Sequence, residues 1–368
     1  MIKILADDRI PFVSELFGKW GELILKSGEH IKKHDLLDVS VLLTRSITSI
    51  NSALLDGTSV KFVGSATAGF DHIDHALLEK QSITWAVATG ANASAVAEYV
   101  LHCIAFLRKN NLLSREKITA AIVGVGWVGA AVSARLKNIG FTVFYNDPPR
   151  AELEKDFISM PLRSLTNVDL FCLHTPLIKS GKFPTYHLIN EPLLKEMKPG
   201  IVLLNAGRGS VVDNSALLKQ NHIISCIDVW ENEPKINLEL LKKVTIATPH
   251  IAGYSRSAKL QATISIYEAF LRHFHLSDTC QVKKLQRLQE KKMLNIDNCE
   301  TIEDILLKIY NPANETKNMR ELLLRNPSQF ENLRRHYPLR DEYSVIQLIP
   351  PPNPTIKSIL QRWGFRID

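Results

Sequence analysis

The stretch Ala120–Leu136, AAIVGVGWVGAAVSARL, restricts the fold more than any other part of the chain. A run of apolar and β-branched residues stops on Gly124, glycine recurs at Gly126 and Gly129, and a helical pattern begins at once. In a strand–turn–helix unit the first glycine permits the tight turn and the second lets the backbone approach a pyrophosphate. The third lets the helix pack close to the strand, and the helix N-terminus then faces the anion. A lone G-x-G-x-x-G is common, so the order around it carries the weight. The next strand-like run, FTVFYND, ends on Asp147, about 20 residues past the loop, where an acid bonds the adenosine ribose hydroxyls. A carboxylate there repels a 2′-phosphate, so NAD is the expected cofactor.

The rest of the chain repeats this alternation. IKILA is followed by the helical-looking PFVSELFGKWGELIL, VSVLLT by NSALL, KFVGSA by DHALLEKQ, and then comes ITWAVA. After the long apolar helix ASAVAEYVLHCIAFLRK a second series runs through TAAIVG, FTVFYND, VDLFCLHTP, IVLLNAG, IISCIDVW and VTIATPH, with short helical segments between. Such alternation predicts parallel sheets covered by helices. Two series predict two α/β domains: a discontinuous one over residues 1–93 and 255–280, closed by the helix after His250, and a Rossmann-type one over 94–254. From about residue 281 the sequence turns polar and mixed in charge, with YNPANETKN and IPPPNPT as loop signals. Residues 281–368 are a candidate third domain.

Composition narrows the function classes. The 368 residues carry a formal charge of +7, which suits an anionic ligand. The bases of the last domain are interleaved with acids, as on a solvated helical surface, so no nucleic-acid partner is expected. The five cysteines are odd in number, scattered and never paired as CxxC, which suggests no disulfide framework, no metal site and a reducing, cytoplasmic compartment. The first residues acquire acids before any signal-like apolar core. The longest uncharged stretch, residues 118–134, is broken by the three glycines, so no membrane span is expected.

If NAD lies at the carboxyl ends of the second sheet, the chemistry belongs on the loops after its later strands. IVLLNAGRG delivers Arg208, whose planar fork can grip a carboxylate in two bonds. IISCIDVWENEP delivers Asp228, Glu231 and Glu233, and VTIATPH delivers His250. Oxidising an alcohol beside a carboxylate needs a hydride acceptor, a base for the hydroxyl proton and a cation for the acid. Nicotinamide, His250 and Arg208 fill those roles, with Glu233 chosen to orient the imidazole. Each residue alone also has a structural explanation. Arg208 could clamp a phosphate, and Glu231 or Glu233 could merely begin a helix.

Taken together, VGVGWVG, ND, HTP, NAGRGSVVDNSAL, DVWENEP and TPHIAGY resemble the D-isomer-specific 2-hydroxyacid dehydrogenases. The resemblance implies a flavodoxin-like substrate domain beside the Rossmann domain and NAD-dependent oxidation of a small 2-hydroxy acid. It makes Arg208, Glu233 and His250 catalytic. It implies NAD contacts at Gly124, Gly126, Val128, Gly129, Asp147, Thr175, Ala206, Asp228 and Gly253, and substrate contacts at Ser46, Thr67 and Tyr254. RSITSIN, KFVGSATAGFDHID, NDPPR and HTPLIKSG, with the tail MRELLLRNPSQFENLRRHYPLRDEYS and LQRWGFR, are similar to a branch of the family that acts on a phosphorylated acid. The resemblance implies that residues 281–368 are an α+β dimerisation domain, hence a homodimer. Trp127 departs from the family, where Asn is common inside the glycine loop. Another 2-hydroxyacid dehydrogenase, acting on phosphoglycerate, hydroxypyruvate or lactate, remains an alternative, as does a non-catalytic NAD-sensing module.

Overall fold

The computed structural model describes residues 2–114, 116–287 and 290–367. The chain divides into two compact units, Met1–Asn92 with Ser255–Glu290, and Ala93–Tyr254 with Lys291–Asp368.

The first unit holds five parallel strands: β1 (Ile2–Asp7), β2 (Gly21–Lys26), β3 (Val41–Thr44), β4 (Phe62–Ser65) and β5 (Thr84–Val87), in the order β2-β1-β3-β4-β5. That is the flavodoxin-like doubly wound order. Central strands β3 and β4 are buried along their whole length, and their continuous apolar runs reflect helices on both faces. One strand differs from expectation. PFVSELFGKWGELIL does not form one helix: Val13–Phe17 is helical, and Gly21–Lys26 is the edge strand β2. The reason lies at Gly21, where a Cβ would stand 1.9 Å from the carbonyl oxygen of Ile2. Only glycine lets the chain come against β1 there. The helix Arg256–His273 returns to this unit, capped by the Ser255 hydroxyl, and packs Ile266, Tyr267 and Phe270 into its core.

The second unit carries six parallel strands: β6 (Thr119–Val123), β7 (Thr142–Asn146), β8 (Leu170–Leu173), β9 (Val202–Asn205), β10 (Ile224–Ile227) and β11 (Ile246–Ala247). Their order is β11-β10-β9-β8-β6-β7. The strand order reverses between β6 and β8, and a ligand crevice is expected outside the carboxyl ends at that point. The long helix Ala93–Lys109 covers one face with Val96, Val100 and Ile104.

Residues 291–368 belong to the same compact unit. A two-stranded parallel ribbon, β12 (Lys292–Asn295) with β13 (Ile346–Ile349), is flanked by helices Ile302–Ile309, Pro312–Leu323 and Pro354–Trp363. Their apolar residues enter the cores of the second unit: Ile305, Tyr343 and Trp363 join Val100 and Ile104, while Met319, Leu323 and Phe330 join Leu203 and Trp230. The Thr316 hydroxyl accepts a bond from the Ala247 amide at 2.9 Å, satisfying the exposed edge of short strand β11. The Arg320 guanidinium meets the carbonyls of Leu241 and Val244. Among the described residues, no helix is long and apolar enough to cross a membrane.

Candidate active site

The glycine loop follows β6 directly. Gly124 sits at φ +82°, the left-handed region, and a Cβ on it would meet the Thr175 amide nitrogen at 2.8 Å. A Cβ on Gly129 would meet the Gly124 carbonyl oxygen at 2.1 Å, so the helix Trp127–Asn138 lies as close to the strand as glycine allows. A Cβ on Gly126 would meet nothing within 4 Å among the described residues beyond its chain neighbours. The one glycine expected to face a pyrophosphate is therefore the one that borders open space, at the N-cap of that helix. Val128 lies in the first turn, and Trp127 beside it is 69% exposed.

Asp147 stands at the end of β7 and joins the loop to the following helix. One carboxylate oxygen accepts from the Val125 amide at 2.7 Å and the other from the Arg150 amide at 3.1 Å. The Arg150 side chain bonds the Val125 carbonyl and Glu154 and lies over the Phe157 ring. Its charge is thus already engaged. Thr175, after β8, lies between Gly124 and Gly207, and its buried hydroxyl has no hydrogen-bond partner among the described residues. Unmet polar atoms in such a place fit a ligand. Burial alone lowers the neighbouring His174 to about 3, so that imidazole is neutral. Open space at Gly126, a helix N-terminus, a strand-end carboxylate and an orphaned hydroxyl together fit a dinucleotide.

The remaining groups come from three adjacent strands, β9, β10 and β11. After β9, the Asn205 side chain bonds the Arg208 carbonyl and the Gly207 amide, folding the Ala206–Arg208 turn back on itself. A Cβ on Gly209 would stand 2.0 Å from the Trp230 carbonyl carbon. The Arg208 loop is therefore pressed against the exit of β10, with the half-buried guanidinium bonded at 2.9 Å to the Gly207 carbonyl.

After β10, Asp228 is fully buried. It accepts from the Thr248 hydroxyl at 2.6 Å and the amides of Ile251 and Ala252 at 2.8 and 3.0 Å. Burial raises its pKa, and those bonds offset part of the rise. The Asp228 carbonyl receives the His250 amide at 2.7 Å. Asp228 thus cages the loop that carries the histidine, a role its sequence position did not reveal. Within that cage His250 adopts φ +57°, a left-handed conformation that a residue with a Cβ holds only when its surroundings enforce it.

Glu233 completes the arrangement. One oxygen accepts from the Trp230 amide at 2.7 Å, and the other meets His250 Nδ1 at 2.8 Å. Burial raises this carboxyl, but His250, the Trp230 amide and the Arg334 charge outweigh it and hold it below its ordinary value. With Nδ1 engaged by Glu233, Nε2 is the ring nitrogen left over for a proton exchange. Glu231 is turned elsewhere, 2.6 Å from His187 Nε2. His187, Asp213 and Glu231 could each offer a cation one ligand atom within 4.8 Å of the others. Here the pair binds itself, and Asp213 caps the helix Asn214–Leu218.

Gly253 and Tyr254 follow in the same segment, with the Tyr254 amide bonded to the Ile251 carbonyl. In the first unit, Ser46 is exposed in the turn after β3, and the Thr67 hydroxyl bonds the Gly69 carbonyl and Ser65. Sequence reasoning missed two arginines. Half-buried Arg340 donates to the carbonyls of Ile251, Ala252 and Ala95 while lying over the Tyr310 ring at 4.7 Å. Arg334 Nη2 lies 3.4 Å from the Tyr254 hydroxyl. The only trace of either in the sequence is the basic, aromatic string RRHYPLR, which has no periodicity.

Comparison with known proteins agrees with this geometry. Residues 105–252 match the NAD binding domain of the D-isomer specific 2-hydroxyacid dehydrogenases, and residues 280–363 match a domain family of unknown function. The chain is 67% identical to the erythronate-4-phosphate dehydrogenase of Coxiella burnetii (strain RSA 493 / Nine Mile phase I), over 100% of both chains. It is 39% identical to the Proteus mirabilis protein of that name, over 99% of each. Among solved structures, the NAD complex of Staphylococcus aureus formate dehydrogenase superposes with TM-score 0.61 at 21% identity, over 76% of this chain and 98% of that one. Aquifex aeolicus D-lactate dehydrogenase with NAD and lactic acid gives 0.57 at 23%, over 77% and 98%. At such identities these two speak for the fold.

Proposed function

Because this chain belongs to the erythronate-4-phosphate dehydrogenase family of D-isomer-specific 2-hydroxyacid dehydrogenases, we propose that it oxidises 4-phospho-D-erythronate to (R)-3-hydroxy-2-oxo-4-phosphooxybutanoate. The reaction would serve pyridoxal 5′-phosphate biosynthesis. NAD, the cofactor of the matched domain, supplies the hydride acceptor when bound. The backbone at Gly124, Gly126, Val128 and Gly129 receives its pyrophosphate, and Asp147 the adenosine ribose. Thr175, Ala206, Asp228 and Gly253 line the remainder of its path.

Arg208 takes the substrate carboxylate in its planar fork. His250 Nε2 removes the C2 hydroxyl proton, and Glu233 on Nδ1 holds the ring and balances the imidazolium that forms. Ser46, Thr67 and Tyr254 are further substrate contacts. The observation that carries this reading is the 2.8 Å contact between His250 Nδ1 and Glu233, whose other oxygen is fixed by a main-chain amide. A merely structural histidine would not need so constrained a carboxylate on one nitrogen.

The test is NADH formation by wild type and by His250→Gln. Wild type should turn over phosphoerythronate, and the variant should lose about 10²- to 10⁴-fold in kcat, the usual contribution of a general base. Equal rates in the two would remove His250 from the mechanism. We read residues 1–93 with 255–280 as the substrate domain, 94–254 as the NAD domain and 281–368 as a dimerisation domain, making the protein a cytoplasmic homodimer. Sedimentation equilibrium should then give twice the chain mass.

A further inference from the structure

The two tail arginines are used differently. Arg340 is half-buried and spends its fork on three main-chain carbonyls and the Tyr337 hydroxyl, so it fixes the 250–254 segment and its donors are already engaged. Arg334, on the helix Phe330–Arg335, is held more loosely. Its Nη1 reaches Glu331, one turn earlier and about half exposed, at 3.0 Å. Its Nη2 has only the long 3.4 Å contact to the Tyr254 hydroxyl, and its buried Nε has no hydrogen-bond partner among the described residues. This cation also stands near enough to Glu233 to act on its carboxyl.

A partly buried guanidinium beside the general base needs an explanation. An exposed ion pair within one helix contributes little, so Glu331 alone is a weak reason to hold it there. The substrate class proposed above, on which this inference rests, supplies a stronger one. A phosphorylated 2-hydroxy acid has a carboxylate at one end and a phosphate at the other, with the reacting hydroxyl beside the carboxylate. Arg208 answers the carboxylate. The phosphate calls for a second cation within reach of Tyr254, and two-pronged charge-assisted bonds to a phosphate favour arginine over lysine.

We propose that Arg334 of the C-terminal segment, together with the Tyr254 hydroxyl, receives the phosphate of the substrate and sets the preference for phosphorylated acids. Glu331 holds the fork in the absence of that anion and yields to it. The tail thereby contributes a specificity-determining residue in addition to packing.

The experiment compares the full-length wild type with Arg334→Gln, Arg334→Lys and Glu331→Gln. For each, kcat and KM are measured on 4-phospho-D-erythronate and on unphosphorylated D-erythronate. Inorganic phosphate is titrated calorimetrically into the enzyme–NADH complex. Arg334→Gln should lower the phosphorylated-over-unphosphorylated preference by roughly 30-fold or more, chiefly through KM, and weaken inorganic phosphate by about 10-fold or more. Arg334→Lys should recover part of both, and Glu331→Gln should bind phosphate as well as wild type or more tightly. If Arg334→Gln does not fold, the other two variants decide, and unchanged phosphate affinity in Arg334→Lys overturns the proposal. An equal kcat loss on both acids with a displaced pH profile also overturns it, since Arg334 would then act only through Glu233. A wild type indifferent to the phosphate group of its substrate would contradict the functional reading instead. Arg334-dependent binding of inorganic phosphate would still support this assignment.

Discussion

At the scale of single residues, the proposed chemistry rests on how tightly one histidine is held. His250 is fixed by its own amide on the Asp228 carbonyl and by Nδ1 on Glu233, while Asp228 grips the two amides that follow. Glu233→Gln keeps the shape but loses the charge that balances the imidazolium. It should cost about 10- to 10³-fold in kcat with NADH binding within about twofold of wild type. Rapid-mixing kinetics with fluorescence titration of NADH separates the two effects. Arg208, Glu233 and His250 were legible as candidates because each ends or follows a strand-like run, and strand ends are where this fold places chemistry. Asp228 was legible as a candidate but not as the cage around the histidine loop, because its partners lie in a later segment. Arg334 and Arg340 were not legible at all. Their contacts are tertiary, and no spacing in the tail ties them to residue 250.

At the scale of elements, alternation located the strands well wherever a run was apolar throughout, as in β3, β4, β8 and β9. It failed at β2, because GELILK is an edge strand with no fully buried residue and its pattern merged with the helix before it. A backbone approach that only glycine permits leaves no trace in periodicity. Gly21→Ala should therefore destabilise the first unit by about 2 to 4 kcal/mol, the scale of a forced backbone shift, as read by urea denaturation. An unchanged midpoint would mean that β2 can move aside without loss.

The helix Ala93–Lys109 offers a second test. Glu98 is buried against the tail, accepting two bonds at 3.3 Å from the Tyr343 amide. Burial, then the nearby Glu342 charge, raise its pKa to about 8 despite Arg135. A folded-state pKa above the unfolded one gives stability that is full below the ordinary value near 4.5 and is lost as pH rises toward 8. Relative to wild type, Glu98→Gln should therefore gain stability across that window, by up to about 1.4 kcal/mol per pH unit. Denaturant midpoints from pH 5 to pH 8.5 would measure it, and a constant gap would mean that Glu98 is ionised throughout. Nothing in the helix pattern announced this, since the position reads as one polar residue on an apolar stripe.

At the scale of the whole molecule, the chain builds two doubly wound units, and the tail after residue 290 has its apolar side chains in the cores of the second. The composition shift near residue 281 falls inside the first unit, ahead of the tail at residue 291, and it did not announce that the tail packs Met319, Leu323 and Phe330 against β9 and Trp230. Removing residues 291–368 should therefore leave the second unit insoluble or unfolded, as judged by its near-ultraviolet circular dichroism. A folded, NAD-binding remnant would show that the tail is dispensable to it. The central claim, that the His250–Glu233 pair and Arg208 serve a phosphorylated 2-hydroxy acid, is tested most directly by one assay. NADH formation is followed with NAD and 4-phospho-D-erythronate, with 3-phospho-D-glycerate and D-lactate in parallel and a 2-oxo acid present to draw off bound NADH. The kcat/KM for phosphoerythronate should exceed the others by at least about 100-fold. Equal or greater activity on phosphoglycerate or lactate, or none on any of the three, would contradict it.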